Sequence, residues 1–298
     1  MRVIVTGGSG RLGQFVLREL VSRGHQVLSI DTVQPRECIC PTAKVDLTNV
    51  QAVLGSFKDV DGVVHLARKR FPYTERGFDA ASQSWEMPDI AGDAERFNHN
   101  VAITYNVLTA ARHSSVQKVV CGSSLAVYGF YYPLRATAPD YLPIDEHHPR
   151  RPQDPYGLSK LLAEDICDAV ARASDMQIAT LRFSGIYTAA DGRKLAERAK
   201  NPTIRGTGAL WSYIDARDAA RACRLALEAD FRGHEAFNIC APTTIINIPT
   251  RELAERYVPQ AGALRGDRQG NWSGYDGNKA AGTLGFNARH LFRNGTLE

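Results

Sequence analysis

The chain has 298 residues, 44% of them hydrophobic and 23% charged, and its 36 Lys and Arg against 32 Asp and Glu leave a net charge of only +4. That balance supports a sizeable core, excludes disordered, fibrous and disulfide-dense classes, and gives no sign of a nucleic-acid or membrane surface. No apolar run approaches the ~18 residues a membrane span needs. The run Val3-Ile4-Val5 is too short for a signal-peptide core, and six cysteines in so long a chain form no disulfide scaffold, so a reduced, cytoplasmic protein is expected. Cys38-x-Cys40 has no second ligand pair at metal spacing and reads as a loop, so no metal is expected.

Short apolar runs alternate with helical patterns. Residues 2–6 read as a strand and 12–22 as a helix with Leu12, Phe15, Val16 and Leu20 on one face, ended by Gly24. Strands follow at 26–30, 44–45, 62–66, 118–123 and 177–183, with helices at 50–57, 97–113 and 156–173 between them. A helix at 214–229 and a strand at 236–240 close the pattern. Strands separated by helices mean parallel pairing and right-handed crossovers, hence an α/β fold with a doubly wound parallel sheet. Two long segments interrupt it: 68–95, with Phe71, Tyr73, Phe78 and Trp85, and 131–155, with Tyr131, Tyr132 and Tyr141. Both follow strand ends, where open α/β sheets bind ligands, and their aromatics favour a packed, ligand-facing role.

The first strand runs into Thr6-Gly7-Gly8-Ser9-Gly10-Arg11-Leu12-Gly13. Glycines at this spacing between strand and helix let backbone N–H groups and the helix N-terminus approach a pyrophosphate. Chance gives about 0.01 such matches per chain. Asp31, at the end of the second strand, suits the ribose hydroxyls of NAD and would repel the 2′-phosphate of NADP. Asp46-Leu47 ends the third strand, where Asp46 meets an adenine amino group or caps the next helix. Tyr156 and Lys160 share a helix face at i, i+4, and an ammonium beside a phenol favours the phenolate, a base for a hydroxyl proton. Chance gives about 0.3 such pairs, so position carries the signal: this helix follows a strand that ends in Ser123-Ser124.

Together these residues resemble the extended short-chain dehydrogenase/reductase family, which includes sugar-nucleotide epimerases and dehydratases. The resemblance covers about residues 1 to 245, through the glycine loop, His65-Leu66-Ala67, Asn100, Ser123 to Gly129, Pro155 to Lys160, Arg182 with Ile186-Tyr187, and Ser212 to Asp215. It implies a Rossmann sheet with a small C-terminal substrate-binding cap: residues 1–185 bind NAD, 210–245 return to that unit, and 186–298 form the substrate region. It implies Tyr156 as base, Lys160 as the cation tuning it and holding the nicotinamide ribose, Ser124 on the substrate oxygen and Asn100 ordering water or backbone near Lys160. Gly7, Gly10, Arg11, Leu12, Gly13, Asp31, Asp46, Leu47, Leu66, Ala67 and Ile186 would line the cofactor; Arg68, Ser124, Leu125, Tyr156 and Arg193 the substrate. A homodimer through the helices at 97–113 and 156–173 is also implied.

Departures narrow the activity. The dehydratases' Asp-Glu pair is replaced by Leu125-Ala126, which argues against elimination of water. Gly185 stands where many epimerases carry a diphosphate-binding asparagine, and the segment after Lys160 is short for a nucleotide-sugar domain. Gly129-Phe130-Tyr131 is similar to uronate and aldose dehydrogenases, whose carboxylate-binding arginine falls near Arg193. Arg193 also suits a solvated helix start, and Arg68-Lys69-Arg70 suits either an acidic substrate or a solvated charge run. His147 and His148 read as a solvated loop. The leading expectation is an NAD-dependent oxidoreductase acting on a sugar-like small molecule. The rivals are an epimerase with retained NAD and a catalytically silent NAD-sensing protein, the latter disfavoured because the Tyr-Lys pair is kept.

Overall fold

The structure is a computed structural model and describes residues 1–71, 89–200, 202, 209–293 and 295–298, with the backbone of the short antiparallel pair Phe78–Asp79 and Ser84–Trp85. Tyr73 and the side chains of Phe78 and Trp85 lie outside the described residues. Seven strands form the central sheet: β1 (Arg2–Thr6), β2 (Gln26–Asp31), β3 (Thr42–Lys44), β4 (Gly62–His65), β5 (Lys118–Ser124), β6 (Gln177–Phe183) and β7 (His234–Ile239). Their order is β3-β2-β1-β4-β5-β6-β7, and every pairing is parallel. The chain starts in the middle, winds one way to β3, then crosses back over β1. That reversal leaves a crevice at the carboxyl ends of β1 and β4, the usual ligand position in such sheets.

Strand residues alternate between two buried faces, so the strands read as near-continuous apolar runs. Val3 and Val5 of β1 pack with Val16, Leu17 and Leu20 of α1 (Arg11–Ser22) on one face. Ile4 packs on the other with Val53 of α2 (Val50–Ser56), Ile103 and Val107 of α3 (Ile90–His113) and Cys167 of α4 (Pro155–Arg172). A third cluster lies beyond the sheet, gathering Tyr128, Leu142, Tyr187, Trp211, Tyr213, Leu253, Trp272 and Tyr275. It includes Leu195 of α5 (Gly192–Lys200), while α6 (Ala216–Glu228) covers the sheet beside α1.

Several boundaries differ from the sequence reading. The third strand is Thr42–Lys44, because its pairing is set by Ser29 opposite Thr42 and Asp31 opposite Lys44. Helix α3 begins at Ile90, not 97: Asp89 accepts the Gly92 N–H at 2.9 Å and Arg96 at 2.7 Å, a cap that no apolar periodicity announces. His148 corrects the solvated-loop expectation. It is buried, its Nε2 accepts the Asp140 N–H at 3.0 Å, and its Nδ1 lies 3.0 Å from the Pro149 carbonyl. That pairing requires the neutral Nδ1–H tautomer, and burial lowers its pKa accordingly.

Candidate active site

The glycine loop fixes one wall of the crevice. Gly7 has φ +74°, and a Cβ there would lie 2.7 Å from the Ala67 nitrogen; a Cβ on Gly13 would lie 2.2 Å from the Gly7 oxygen. Side chains at either position would push the loop off the sheet. Helix α1 starts after Gly10 with no side-chain cap and no acidic residue in its first turn, so its positive end stays open to an anion. The Asp31 carboxylate accepts N–H groups from Ser9 at 3.0 Å, Thr32 at 2.7 Å and Val33 at 3.3 Å, tying the loop to the end of β2 while keeping lone pairs for a diol. Leu66 donates its N–H to the Thr6 carbonyl at 3.1 Å, which sets Leu66-Ala67 against the loop.

The outer cofactor candidates divide. Leu47 is buried, whereas Asp46 is exposed and accepts from the Thr48 N–H at 2.9 Å and hydroxyl at 2.8 Å, bonds that lower its pKa. The cap of α2 is Asn49, which accepts from Gln51 and Ala52. Arg11 points away from its own loop to pair with Asp191 and to donate to the Thr188 hydroxyl at 3.2 Å, linking the glycine loop to the segment before α5. Ile186 lies just beyond β6, paired in parallel with Ile214.

The second wall is built by β5 and α4. Asp154 caps α4 by accepting the Gly157 N–H at 2.9 Å, and Pro155 fills the first helical position, where no N–H is needed. This sets Tyr156 in the first turn and Lys160 one turn on, beside β5: the Lys160 ammonium donates to the Gly122 carbonyl at 2.7 Å. Burial, with the charge of Arg68 adding, lowers the Lys160 pKa from 10.5 to about 8. Ser124 ends β5, and its hydroxyl accepts the Ala126 N–H at 3.2 Å; Leu125 follows, fully buried. The helix meets this turn closely, since a Cβ on Gly157 would lie 2.8 Å from the Ala126 carbonyl oxygen.

Asn100 has a definite task. Its side-chain oxygen accepts the Lys69 N–H at 2.7 Å and its amide donates to the Lys69 carbonyl at 3.1 Å, clamping the backbone after β4. Behind it, Thr104 donates its hydroxyl to the Asn100 carbonyl at 2.9 Å. It therefore accepts from His65 Nε2 at 3.3 Å, leaving Nδ1 to accept the Thr6 hydroxyl at 2.7 Å. Burial, aided by the Lys160 charge, holds His65 neutral with a pKa lowered to about 3. The Thr6–His65–Thr104–Asn100–Lys69 chain thus braces the loop facing the Tyr156 ring, a task only partner geometry reveals.

The ring of Tyr156 lies 5.7 Å from that of Phe71 and 6.3 Å from that of Tyr132, with the exposed Arg68 guanidinium 5.6 Å from its centroid. Arg193 is exposed on α5, without a hydrogen bond or ion pair among the described residues. The cation of α5 that reaches the aromatic cluster is Arg198, which donates to the Tyr187 hydroxyl. Tyr187 also lies where the epimerase asparagine would sit: a Cβ on Gly185 would be 2.9 Å from its ring.

A glycine-lined switch-point crevice facing a Tyr-x-x-x-Lys helix defines a dinucleotide-dependent enzyme of the short-chain dehydrogenase/reductase type. The chain belongs to the NAD dependent epimerase/dehydratase family, whose model matches residues 3–240. It is 32% identical over 287 residues to a 2-alkyl-3-oxoalkanoate reductase of Stenotrophomonas maltophilia, covering 90% of this chain and 78% of the reductase. It is 28% identical over 269 residues to a UDP-glucose 4-epimerase of Corynebacterium glutamicum, covering 80% and 75%. Against four other relatives named UDP-glucose 4-epimerase, one of them as putative, the match spans about half of the relative's length, 49% to 56%. Among solved structures, a short-chain dehydrogenase/reductase superfamily protein of Agrobacterium tumefaciens with bound NAD superposes with TM-score 0.70 at 24% identity, over 98% of this chain and 94% of that one. The family is NAD-dependent, and its members named here are enzymes.

Proposed function

We propose that the chain is an NAD-dependent oxidoreductase acting on a hydroxyl or carbonyl of a compact, sugar-like molecule. The observation carrying the reading is the buried Lys160 ammonium, held by the Gly122 carbonyl one helical turn from Tyr156. A desolvated cation there supplies positive charge at the wall of the crevice where the hydroxyl proton would be taken up. In this reading Tyr156 takes the hydroxyl proton during oxidation and returns it during reduction, Ser124 holds the substrate oxygen, and Asn100 keeps the loop at Lys69 in place. When bound, NAD accepts a hydride from the carbon being oxidised. The close approaches at Gly7 and Gly13 and the open end of α1 suit its pyrophosphate, with Gly10, Arg11 and Leu12 contributing there. Asp31 would take the ribose hydroxyls, Asp46 and Leu47 the adenine side, and Leu66, Ala67 and Ile186 the remaining contacts. Arg68, Leu125 and Arg193 remain the substrate-side candidates from the sequence.

Residues 1–185 with 210–245 would carry NAD, and the rest of 186–298 the substrate. The pairing of β7 with β6 supports that division. A homodimer through α3 and α4 is supported by the exposed Tyr105, 56% accessible, on α3 and Leu158 on α4. A cytoplasmic setting is supported by six free cysteines. The test is Tyr156→Phe: turnover should fall about 100- to 10,000-fold while NAD binding is kept. A fully active variant would overturn the mechanism. The epimerase name among the relatives favours a second reading, in which NAD co-purifies stoichiometrically and no net NADH accumulates. The Tyr187 ring in the asparagine's place argues against it.

A further inference from the structure

Arg198 is the one half-buried or buried arginine near the Tyr156 cluster with no carboxylate partner among the described residues. The buried arginines elsewhere are matched: Arg182 pairs with Glu164 at 2.8 Å and Arg221 with Asp218 at 3.4 Å. Arg198 has instead the neutral Tyr187 hydroxyl and lies 5.7 Å from that ring's centroid. Burial lowers its pKa, and the groups acting back on it are the phenols of Tyr131 and Tyr132. A guanidinium offers five N–H donors, so most of this fork is unused.

A second observation stands beside it. The Tyr131 hydroxyl is enclosed, faces the Gly185 backbone N–H, and donates to no acceptor among the described residues. Buried polar atoms are normally satisfied, and an exception calls for an explanation such as a water, an ion or a ligand that supplies the partner. Both groups approach Gly185: the Tyr131 hydroxyl lies beside its backbone, and the Tyr187 hydroxyl to which Arg198 donates would lie 3.2 Å from a Cβ there. That place is joined to the reacting centre by ring contacts, Tyr131 to Tyr132 at 6.0 Å and Tyr132 to Tyr156 at 6.3 Å. The charges of Arg68 and Arg198 both reach Tyr132.

We propose that Arg198, with the Tyr131 hydroxyl, anchors an oxyanion of the substrate across the tyrosine cluster from Tyr156, so that the enzyme selects a compact acidic molecule. This rests on the oxidoreductase reading of the Tyr156 site. A carboxylate or a phosphate supplies the same paired acceptors, and a planar guanidinium suits either.

The test uses the full chain saturated with NAD. Binding of glucuronate, glucose 6-phosphate and glucose is measured by calorimetry for wild type, Arg198→Met, Arg198→Lys and Lys194→Met. The expected result is that at least one acid binds at least about 10-fold more tightly than glucose, and which acid does so identifies carboxylate or phosphate. Arg198→Met then removes that preference, raising Kd for the acid about 10- to 100-fold with NAD affinity little changed. Arg198→Lys keeps part of it, and the exposed Lys194→Met keeps all of it. The proposal is overturned when neither acid binds better than glucose, or when the preference survives in Arg198→Met. Failure of the oxidoreductase reading is separate, because it shows as undiminished turnover in Tyr156→Phe.

Discussion

Lys160→Met separates what this lysine costs the fold from what it gives the chemistry. The ammonium is buried, donates to the Gly122 carbonyl at 2.7 Å, and has its pKa lowered from 10.5 to about 8, chiefly by burial. A displacement of that size corresponds to about 3 kcal/mol of unfavourable charging in the folded chain at neutral pH. Methionine keeps the apolar stem and removes the charge, but leaves the carbonyl without its donor, at a cost of about 1–3 kcal/mol. The apoprotein of the variant should therefore be as stable as wild type, or more stable by up to about 2 kcal/mol. The sign with pH follows from linkage. Below about pH 8 the lysine is charged in both folded and unfolded chains, and the cost is fully present. Between about 8 and 10.5 the folded chain has lost that proton while the unfolded chain keeps it, so wild type gains stability and the variant's advantage fades. Urea midpoints of the apoproteins at about pH 6.5 and about pH 9.5 measure both terms, and NADH formation measures the loss of turnover, about 100-fold or more. A variant that is clearly less stable at the lower pH, with a difference that does not change with pH, would refute the argument.

Two further substitutions probe the frame. Glu164, one turn beyond Lys160 on α4, accepts from Arg182 at 2.9 and 2.8 Å, from Ser123 at 2.6 Å and from Arg150 at 3.0 Å. Burial raises its pKa, but the bonds and charge of Arg182 outweigh that and leave it lowered. Glu164→Gln strands the buried Arg182 charge and should cost about 3–5 kcal/mol at neutral pH. The deficit should fade as pH falls through the folded-state pKa, because the wild-type carboxylate is then protonated as well; urea unfolding across that range checks it. Gly13→Ala places a methyl 2.2 Å from the Gly7 oxygen and should weaken NAD binding about 10-fold or more while the far-UV circular dichroism stays unchanged. Unaltered NAD affinity would show that the loop has slack the structure does not display.

The legible parts of this molecule were those governed by local rules. Parallel strands buried on both faces announce themselves as apolar runs, and the glycine spacing encodes a close backbone approach such as the one at Gly13. Tyr156 and Lys160 were readable from their i, i+4 spacing together with their place at the start of the helix that follows Ser123-Ser124. What escaped depends on distant partners. Helix α5 carries a mostly charged sequence and is held by little more than Leu195 against the outer cluster, so no periodicity marks it. His148 looks solvated beside Asp145 and Glu146, yet Asp140 and Pro149 satisfy both ring nitrogens and the aromatics Tyr128, Phe130 and Tyr141 enclose it. Arg193 and Arg198 are indistinguishable as letters on one helix. Only the packing of α5 against Tyr187 turns one toward the aromatic cluster and leaves the other in solvent.

That contrast extends to the buried cations as a set. Arg182 and Arg221 face carboxylates across element junctions, where a matched pair fixes geometry and leaves little for a ligand to supply. Lys160 and Arg198 face a carbonyl and a hydroxyl, neutral acceptors that satisfy a direction but leave the charge uncompensated. Both lie around Tyr156, one a helical turn on and one across the tilted and edge-on tyrosine rings. On the proposed reading, a site arranged this way would meet negative charge at its two ends: charge developing in the reaction near Lys160, and the standing charge of an acid at Arg198. Binding an acid would relieve the second cost, so at equal free ligand concentration the NAD-loaded protein should gain more thermal stability from the preferred acid than from glucose. Equal gains from the two would mean that the Arg198 charge is already compensated by solvent.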